Sequence, residues 1–101
     1  MLNIEPNSVE AYDYKGCVLY ELNELEEAAQ CSSKAIELDP FYANGWYNRS
    51  RYMTKKGQIN EVLRNLKEAI RLNNAYLESA RTDKDFDSSR NDERFKKLIG
   101  D

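Results

Sequence analysis

Apolar and small residues recur along the chain at the spacing of one face of an α-helix. Positions 12, 16 and 19 form one such stripe, and a second stripe begins at Leu25. Its members are Leu25, Ala28, Ser32, Ala35 and Ile36. Residues separated by three, four or seven positions lie on the same side of a helix. The pattern therefore predicts two amphipathic helices within residues 9–40.

The same pattern returns 34 residues later along the chain. Trp46, Ser50 and Met53 repeat the first stripe, and the second returns as Ile59, Val62, Leu66, Ala69 and Ile70. Asn23 and Gly57 stand between the two helices of each unit, where a tight turn requires a residue that tolerates positive φ. Pro40 prevents the helix before it from continuing. The period predicts two helix hairpins in tandem, and Asn7 followed by Glu10 predicts a capped start for the first helix.

These spaced positions resemble tetratricopeptide repeats. The resemblance rests on Tyr12 and Trp46, Gly16 and Ser50, Ala28 and Val62, Ala35 and Ala69, and the ending Leu38-Asp39-Pro40. It implies an all-α fold in which antiparallel helix-turn-helix repeats stack as a right-handed α-solenoid. Lys15 and Arg49 depart from the family, which usually has leucine there, and Asn74 stands where proline is expected.

The resemblance also suggests how one domain, residues 1–101, is organised. Residues 1–6 resemble the tail of a truncated preceding repeat, which suggests either a fragment of a longer array or a protein whose first repeat has decayed. Residues 9–40 and 43–74 form repeats 1 and 2, and residues 75–101 form a partial third repeat with a C-terminal capping helix. We expect Phe86, Phe95 and Leu98 to cover the last apolar stripe of the stack.

Composition excludes several classes of function. The chain has no histidine, which removes every mechanism that needs imidazole. It has 15 basic and 18 acidic residues and no long apolar run, so we expect neither a nucleic-acid partner nor a membrane partner. Charge is uneven, because residues 1–40 carry two basic and nine acidic side chains. Cys17 and Cys31 form no metal-ligand pattern, so we predict free thiols, no cofactor or metal, and a cytoplasmic protein.

The resemblance implies a curved ribbon whose inner wall is built from the first helix of each unit. Polar and aromatic residues on that wall suit an extended peptide, since they supply donors for its backbone or carboxylates and rings for its apolar side chains. The candidate peptide-binding residues are Asp13, Cys17, Tyr20, Tyr47, Asn48, Arg51, Lys55 and Arg81. The carboxylate clamp that some family members use for chaperone tails is excluded, because only Asn48 survives at its positions.

Two interpretations follow. The first is a non-enzymatic protein-protein interaction module that binds a peptide or protein segment on the concave face and is monomeric or weakly self-associating. The alternative is a structural spacer or a self-associating fragment of a longer repeat array. In either form, the parent chain could also carry an enzyme domain elsewhere.

Overall fold

Residues 7–100 are described by a computed structural model, and nearly all of them are helical. The elements are α1 (Val9–Glu21), α2 (Leu25–Leu38), α3 (Ala43–Lys55), α4 (Ile59–Leu72), α5 (Ala75–Thr82), a 3₁₀ helix (Lys84–Ser89) and α6 (Glu93–Ile99). No strand occurs within this range, and neighbouring helices pack in pairs. The predicted all-α stack of helix hairpins is confirmed. The repeat tail predicted for residues 1–6 lies outside the described part of the chain.

The two hairpin turns have the same backbone geometry. Asn23 has φ of 65° and Gly57 has φ of 74°, as predicted for both positions. The amide of Glu24 donates to the carbonyl of Leu19 over 2.8 Å, and the amide of Gln58 donates to the carbonyl of Met53 over 3.0 Å. These bonds satisfy carbonyl groups that the end of a helix leaves open.

The start of α1 differs from the prediction by one residue. Ser8, rather than Asn7, is the N-cap, and its hydroxyl accepts a hydrogen bond from the amide of Ala11 over 3.0 Å. Asn7 instead accepts a hydrogen bond from the Tyr12 hydroxyl over 3.4 Å. Both residue types can cap a helix, so the sequence pattern alone does not separate them.

Small side chains allow the helices to approach closely. Ala28, Ala35 and Ala69 are fully buried on the second helix of each hairpin. A Cβ atom on Gly16 would lie 3.3 Å from the Tyr52 hydroxyl and 3.4 Å from Cys31 Cβ. Gly16 therefore marks the point where α1, α2 and α3 converge.

The C-terminal segment closes the end of the stack. The 3₁₀ helix lies on α3, and α6 packs against α4 and α5. Phe86 and Phe95 are fully buried, with ring centroids 5.6 Å apart. Leu98 is only half-buried, because Ile99 takes the deeper position. The predicted capping helix is confirmed, with Ile99 added to its buried face.

Arg49 and Arg64 both bind Glu61, and the Arg49 contact joins α3 to α4. Arg49 Nη1 lies 2.8 Å and Arg64 Nη2 lies 2.9 Å from the same oxygen of Glu61. The hydrogen bonds from Arg64 and then from Arg49 lower the pKa of Glu61 to about 2. Arg49 Nε also donates to Ser33 Oγ on α2, over 2.9 Å. Arg49 departs from the leucine usual in the family, and here it connects three helices.

Replacing Phe95 by Ala should lower the free energy of unfolding by about 3–5 kcal/mol, because it removes a fully buried ring and leaves a cavity. Urea denaturation followed by circular dichroism measures the change. Arg94→Ala is the matched control, since Arg94 is the exposed neighbour on the same helix. A Phe95→Ala protein as stable as the control would contradict the capping role.

Glu61→Gln should destabilise the fold most at neutral pH and progressively less in acid. The folded-state pKa lies below the ordinary value of 4.5, so the charged form stabilises the fold above that value. This contribution is lost as the pH falls from 4.5 towards 2. Urea denaturation of wild type and variant at pH 7, 4 and 2.5 should therefore show a narrowing difference. A difference that stays constant over this range would disprove the assignment.

Candidate functional site

A ladder of hydrogen bonds runs across the wall formed by α1, α3 and α5, which we call the first-helix wall. Asp13 on α1 accepts hydrogen bonds from Asn44 and Asn48 on α3, each over 2.8 Å. The Tyr42 hydroxyl also donates to Asp13, over 3.1 Å. Asn44 in turn accepts from the Tyr76 hydroxyl on α5, over 3.2 Å. The ladder therefore connects the first helices of all three units.

Burial of Tyr42, and then the charge of Asp13, raise the pKa of the Tyr42 hydroxyl to about 12. Tyr42 is consequently a neutral hydrogen-bond donor at physiological pH. Asp13 accepts hydrogen bonds from three residues, which fixes its carboxylate on the wall.

Arg51 occupies the middle of the first-helix wall. Its Nη1 donates to Asn48 Oδ1 over 2.7 Å, and its Nε and Nη2 donate to Asp85 Oδ2 over 2.9 and 2.7 Å. Its guanidinium also lies over the Tyr20 ring, 5.2 Å from the centroid. Burial alone would lower the pKa of Arg51, but the hydrogen bond and charge of Asp85 outweigh it and raise the pKa. Arg51 is thus a fixed cation.

Tyr47 lies beside Arg51 and is almost completely buried. Its hydroxyl donates to Asp83 Oδ2 over 2.7 Å, and its ring stacks on Tyr76 with centroids 4.6 Å apart. The Phe86 ring packs edge-on against the Tyr47 ring, with centroids 5.5 Å apart. The wall around α3 is therefore covered by the chain's own segment, residues 83–86.

The remaining predicted residues lie in different surroundings. Cys17 is half-buried, and its sulfur accepts from the Tyr52 hydroxyl over 3.6 Å and from Asn48 over 3.8 Å. Lys55 is exposed at the end of α3. Arg81 binds the carbonyl of Ile99 over 2.8 Å and Glu78 over 3.1 Å, so it supports the cap.

The structure thus brings most of the predicted residues together. Five of them form one connected cluster, Tyr47 adjoins it, and Lys55 lies at its edge. The five are Asp13, Cys17, Tyr20, Asn48 and Arg51. Arg81, by contrast, is taken up by the cap.

An open pocket of about 270 Å³ adjoins this cluster at the turn between α1 and α2. Its lining residues are Tyr20, Glu21, Asn23, Leu25, Lys55 and Asp85. The Tyr20 hydroxyl is buried there and faces Asp85 without a hydrogen bond of normal geometry. Lys55 adds an ammonium group at the rim. The pocket therefore offers a cation at its rim to a bound molecule, while the Tyr20 hydroxyl lies beneath its surface.

Sequence reasoning missed the two carboxylates that cover the wall. Asp83 and Asp85 belong to the run TDKDFD at positions 82–87, and the sequence pattern predicts only Phe86 of this run as part of the cap. A signal for their role exists, since Arg51 has no acidic residue three or four positions away on its own helix. An arginine that becomes half-buried needs an acidic partner, which must then come from another segment of the chain. The run TDKDFD, which follows the second repeat, is one such acidic segment.

Among residues 7–100, no group of three or more Cys, Asp or Glu side chains is arranged to hold a metal ion. None of the helices in this range is long and apolar enough to cross a membrane.

Comparison with known proteins gives one family and two relatives. Residues 9–42 match the family model of the tetratricopeptide repeat. One relative is the Saccharomyces cerevisiae protein named Essential for maintenance of the cell wall protein 1, to which the chain is 34% identical over 65 residues. These residues make up 64% of this chain and 7% of the yeast protein. The other relative is an uncharacterized protein of Methanocaldococcus jannaschii, to which the chain is 35% identical over 53 residues. These residues make up 52% of this chain and 62% of that protein.

The chain thus spans less than two thirds of either relative. The matched residues contain the whole first hairpin, and α3 and α4 repeat its helix lengths and turn geometry. Residues 9–42 therefore belong to the tetratricopeptide repeat family, as predicted, and the repeats of this family generally mediate contacts between proteins.

Proposed function

We propose that this protein is a non-enzymatic interaction module that binds a peptide or protein segment along the first-helix wall, on the concave side of the stack. One observation carries the proposal: the wall already holds a segment of its own chain. Asp83 lies on Tyr47 and Asp85 lies on Arg51, while Phe86 is fully buried beside them. The wall therefore has the donors and rings that hold a polypeptide containing acidic and aromatic residues.

The part of the wall left open by residues 83–86 is where a partner would bind. This is the pocket of about 270 Å³, with the Tyr20 side chain on its wall and the Lys55 ammonium group at its rim. Asp13 and Cys17, both half-buried, continue the wall from there along α1, and the buried Asn48 holds them from α3. Because these side chains are already fixed by hydrogen bonds, binding would cost little further side-chain ordering.

The groups of the wall whose pKa is shifted all move away from neutral pH, which supports a binding role. General acid-base catalysis works best with a pKa near the operating pH. Burial would raise the pKa of Asp85, but its hydrogen bonds, chiefly from Arg51, prevail and lower it. Burial raises the pKa of Tyr47 and Tyr52 far above neutral. The free thiols of Cys17 and Cys31 suit a reducing compartment such as the cytoplasm.

A second candidate function, a structural spacer, is favoured by the outer face of α1. Tyr14, Val18 and Leu22 form an apolar stripe there, and 43% or more of each side chain is exposed. Tyr52 holds the position on α3 that corresponds to Val18, and it is fully buried against α1. The stripe on α1 is thus suited to another helix hairpin of the same kind, as in a longer array.

Selection from a random peptide display library, followed by titration calorimetry, tests the binding role. We expect selected peptides to bind with about micromolar affinity, because the open wall buries little surface. Lys55→Ala, and more strongly Lys55→Glu, should weaken binding about fivefold or more, since each removes the cation at the rim of the pocket.

Lys67→Ala is the matched control, because it removes an exposed cation from α4 that does not line the pocket. If the wall variants bind the peptides as tightly as this control, the assignment to the wall is wrong. A protein that selects no peptide, and whose self-association is abolished by Val18→Asp, would instead be the spacer.

A further inference from the structure

A second pocket of about 210 Å³ lies between α2, α3 and α4. Its lining residues are Ser33, Ile36, Trp46, Arg49, Arg64 and Asn65. Trp46 and Arg49 lie on α3, but none of the six residues lines the pocket beside Tyr20 or belongs to the hydrogen-bonded cluster of the first-helix wall, so this pocket is independent of the function proposed above. Pockets that bury a drug-sized ligand measure about 300–1,000 Å³. This pocket is smaller, and its volume suits one amino-acid side chain together with its backbone groups.

One part of this pocket is apolar. Trp46 and Ile36 are half-buried, and Trp46 also packs against the hydrophobic core. The indole N–H of Trp46 donates to the carbonyl of Pro40 over 2.9 Å, which fixes the ring. A fixed aromatic ring beside an isoleucine is a surface for an aliphatic or aromatic side chain.

Another part of the pocket is cationic. Arg49 and Arg64 share the single carboxylate of Glu61, so the three side chains together carry a net charge of +1. Among the described residues, Arg49 uses two of its five N–H groups, one to Ser33 and one to Glu61. Arg64 also uses two, both to Glu61. The other N–H groups are donors, and guanidinium groups bind carboxylates by paired hydrogen bonds.

Asn65 adds an unused acceptor to the pocket. The residue is fully buried, and its Nδ2 donates to the carbonyl of Glu61 over 2.7 Å. Its Oδ1 has no hydrogen-bond partner among the described residues. A buried acceptor without a donor is unfavourable. This oxygen is shielded from solvent, so a ligand N–H group relieves the cost only where the side chains above it move aside.

We propose that this pocket binds a carboxylate carried next to an apolar side chain. The carboxylate would bind Arg49 and Arg64, and the apolar side chain would pack against Trp46 and Ile36. An adjoining amide N–H could donate to Asn65. The C-terminal residue of a peptide and a free N-acylated amino acid both have these three groups.

The only tryptophan of the chain lines the pocket, so its fluorescence reports binding directly. Titration with N-acetyl-L-leucine should give a saturable change with a dissociation constant of about 1 mM, which is typical of a ligand with few contacts. N-acetyl-L-leucinamide keeps the side chain but lacks the charge, and it should bind about tenfold more weakly. No saturable change, or equal binding of acid and amide, would overturn the proposal.

Two matched variants test the role of the guanidinium groups. Arg64→Gln should weaken binding of N-acetyl-L-leucine about tenfold, and it should not unfold the protein, because 61% of the Arg64 side chain is exposed. Arg71→Gln is the control, since Arg71 pairs with Glu68 at the same i, i+3 spacing on α4 but does not line the pocket. Equal dissociation constants for the two variants would overturn the proposal.

Peptides distinguish the two sources of the ligand. If acetyl-Ala-Ala-Leu with a free carboxylate binds at least tenfold more tightly than N-acetyl-L-leucine, the pocket recognises the end of a polypeptide. If both bind equally, it recognises a small free carboxylate, and either result supports the assignment. Tighter binding of the amidated peptide than of the acid would overturn it.

Discussion

The close approach of neighbouring helices at small residues is the constraint on which this structure depends. Ala28 and Ala35 on α2 and Ala69 on α4 are fully buried, and Gly16 brings α1 within contact distance of Tyr52 on α3. Larger side chains at these positions would separate the helices, because a close-packed interior has no spare volume. The small residues thus determine how closely α1 and α3 lie together. They thereby determine whether residues on the two helices can touch.

The polar side of the stack follows from this spacing. Asp13 reaches Asn44 and Asn48 only because α1 and α3 are neighbours, and the Arg51 guanidinium then lies between Tyr20 and Asp85. Nearly every polar group in the cluster has a partner within the chain, with the Tyr20 hydroxyl as the exception. A ligand on this wall therefore meets side chains that are already oriented. It must use the open pocket beside Tyr20 or replace the carboxylates of residues 83 and 85.

Two surfaces of different chemistry come from the same hairpins. The first-helix wall combines carboxylates, amides and tyrosines, whereas the pocket between α2, α3 and α4 combines Trp46 with two guanidinium groups that share one carboxylate. The two share no lining residue, so a partner on one surface does not obstruct the other. This separation follows from helix geometry, because Asn48 and Arg51 lie on one face of α3, whereas Trp46 and Arg49 lie on another.

The fold could be predicted from the sequence because its main signals recur at a fixed period. Gly16 and Ser50, and Asn23 and Gly57, appear at matching positions, so each supports the interpretation of the other. The site was less predictable. Arg51 and Tyr47 were identified from their helix face, but their partners Asp83 and Asp85 lie in a segment with no counterpart in the other units. Tyr47 and Asp83 are 36 positions apart, and Arg51 and Asp85 are 34 apart. Their pairing depends on how the C-terminal segment packs against α3, and no local sequence pattern encodes that packing.

The unfolding free energy of the Ala35→Leu protein tests the central claim, the close pairing of helices at small residues. Urea denaturation of this variant should show a loss of about 1–3 kcal/mol, because the added atoms have no space between α2 and α3. Gln30→Leu, on the exposed side of α2, provides the comparison. A loss no larger than that of Gln30→Leu would contradict the account.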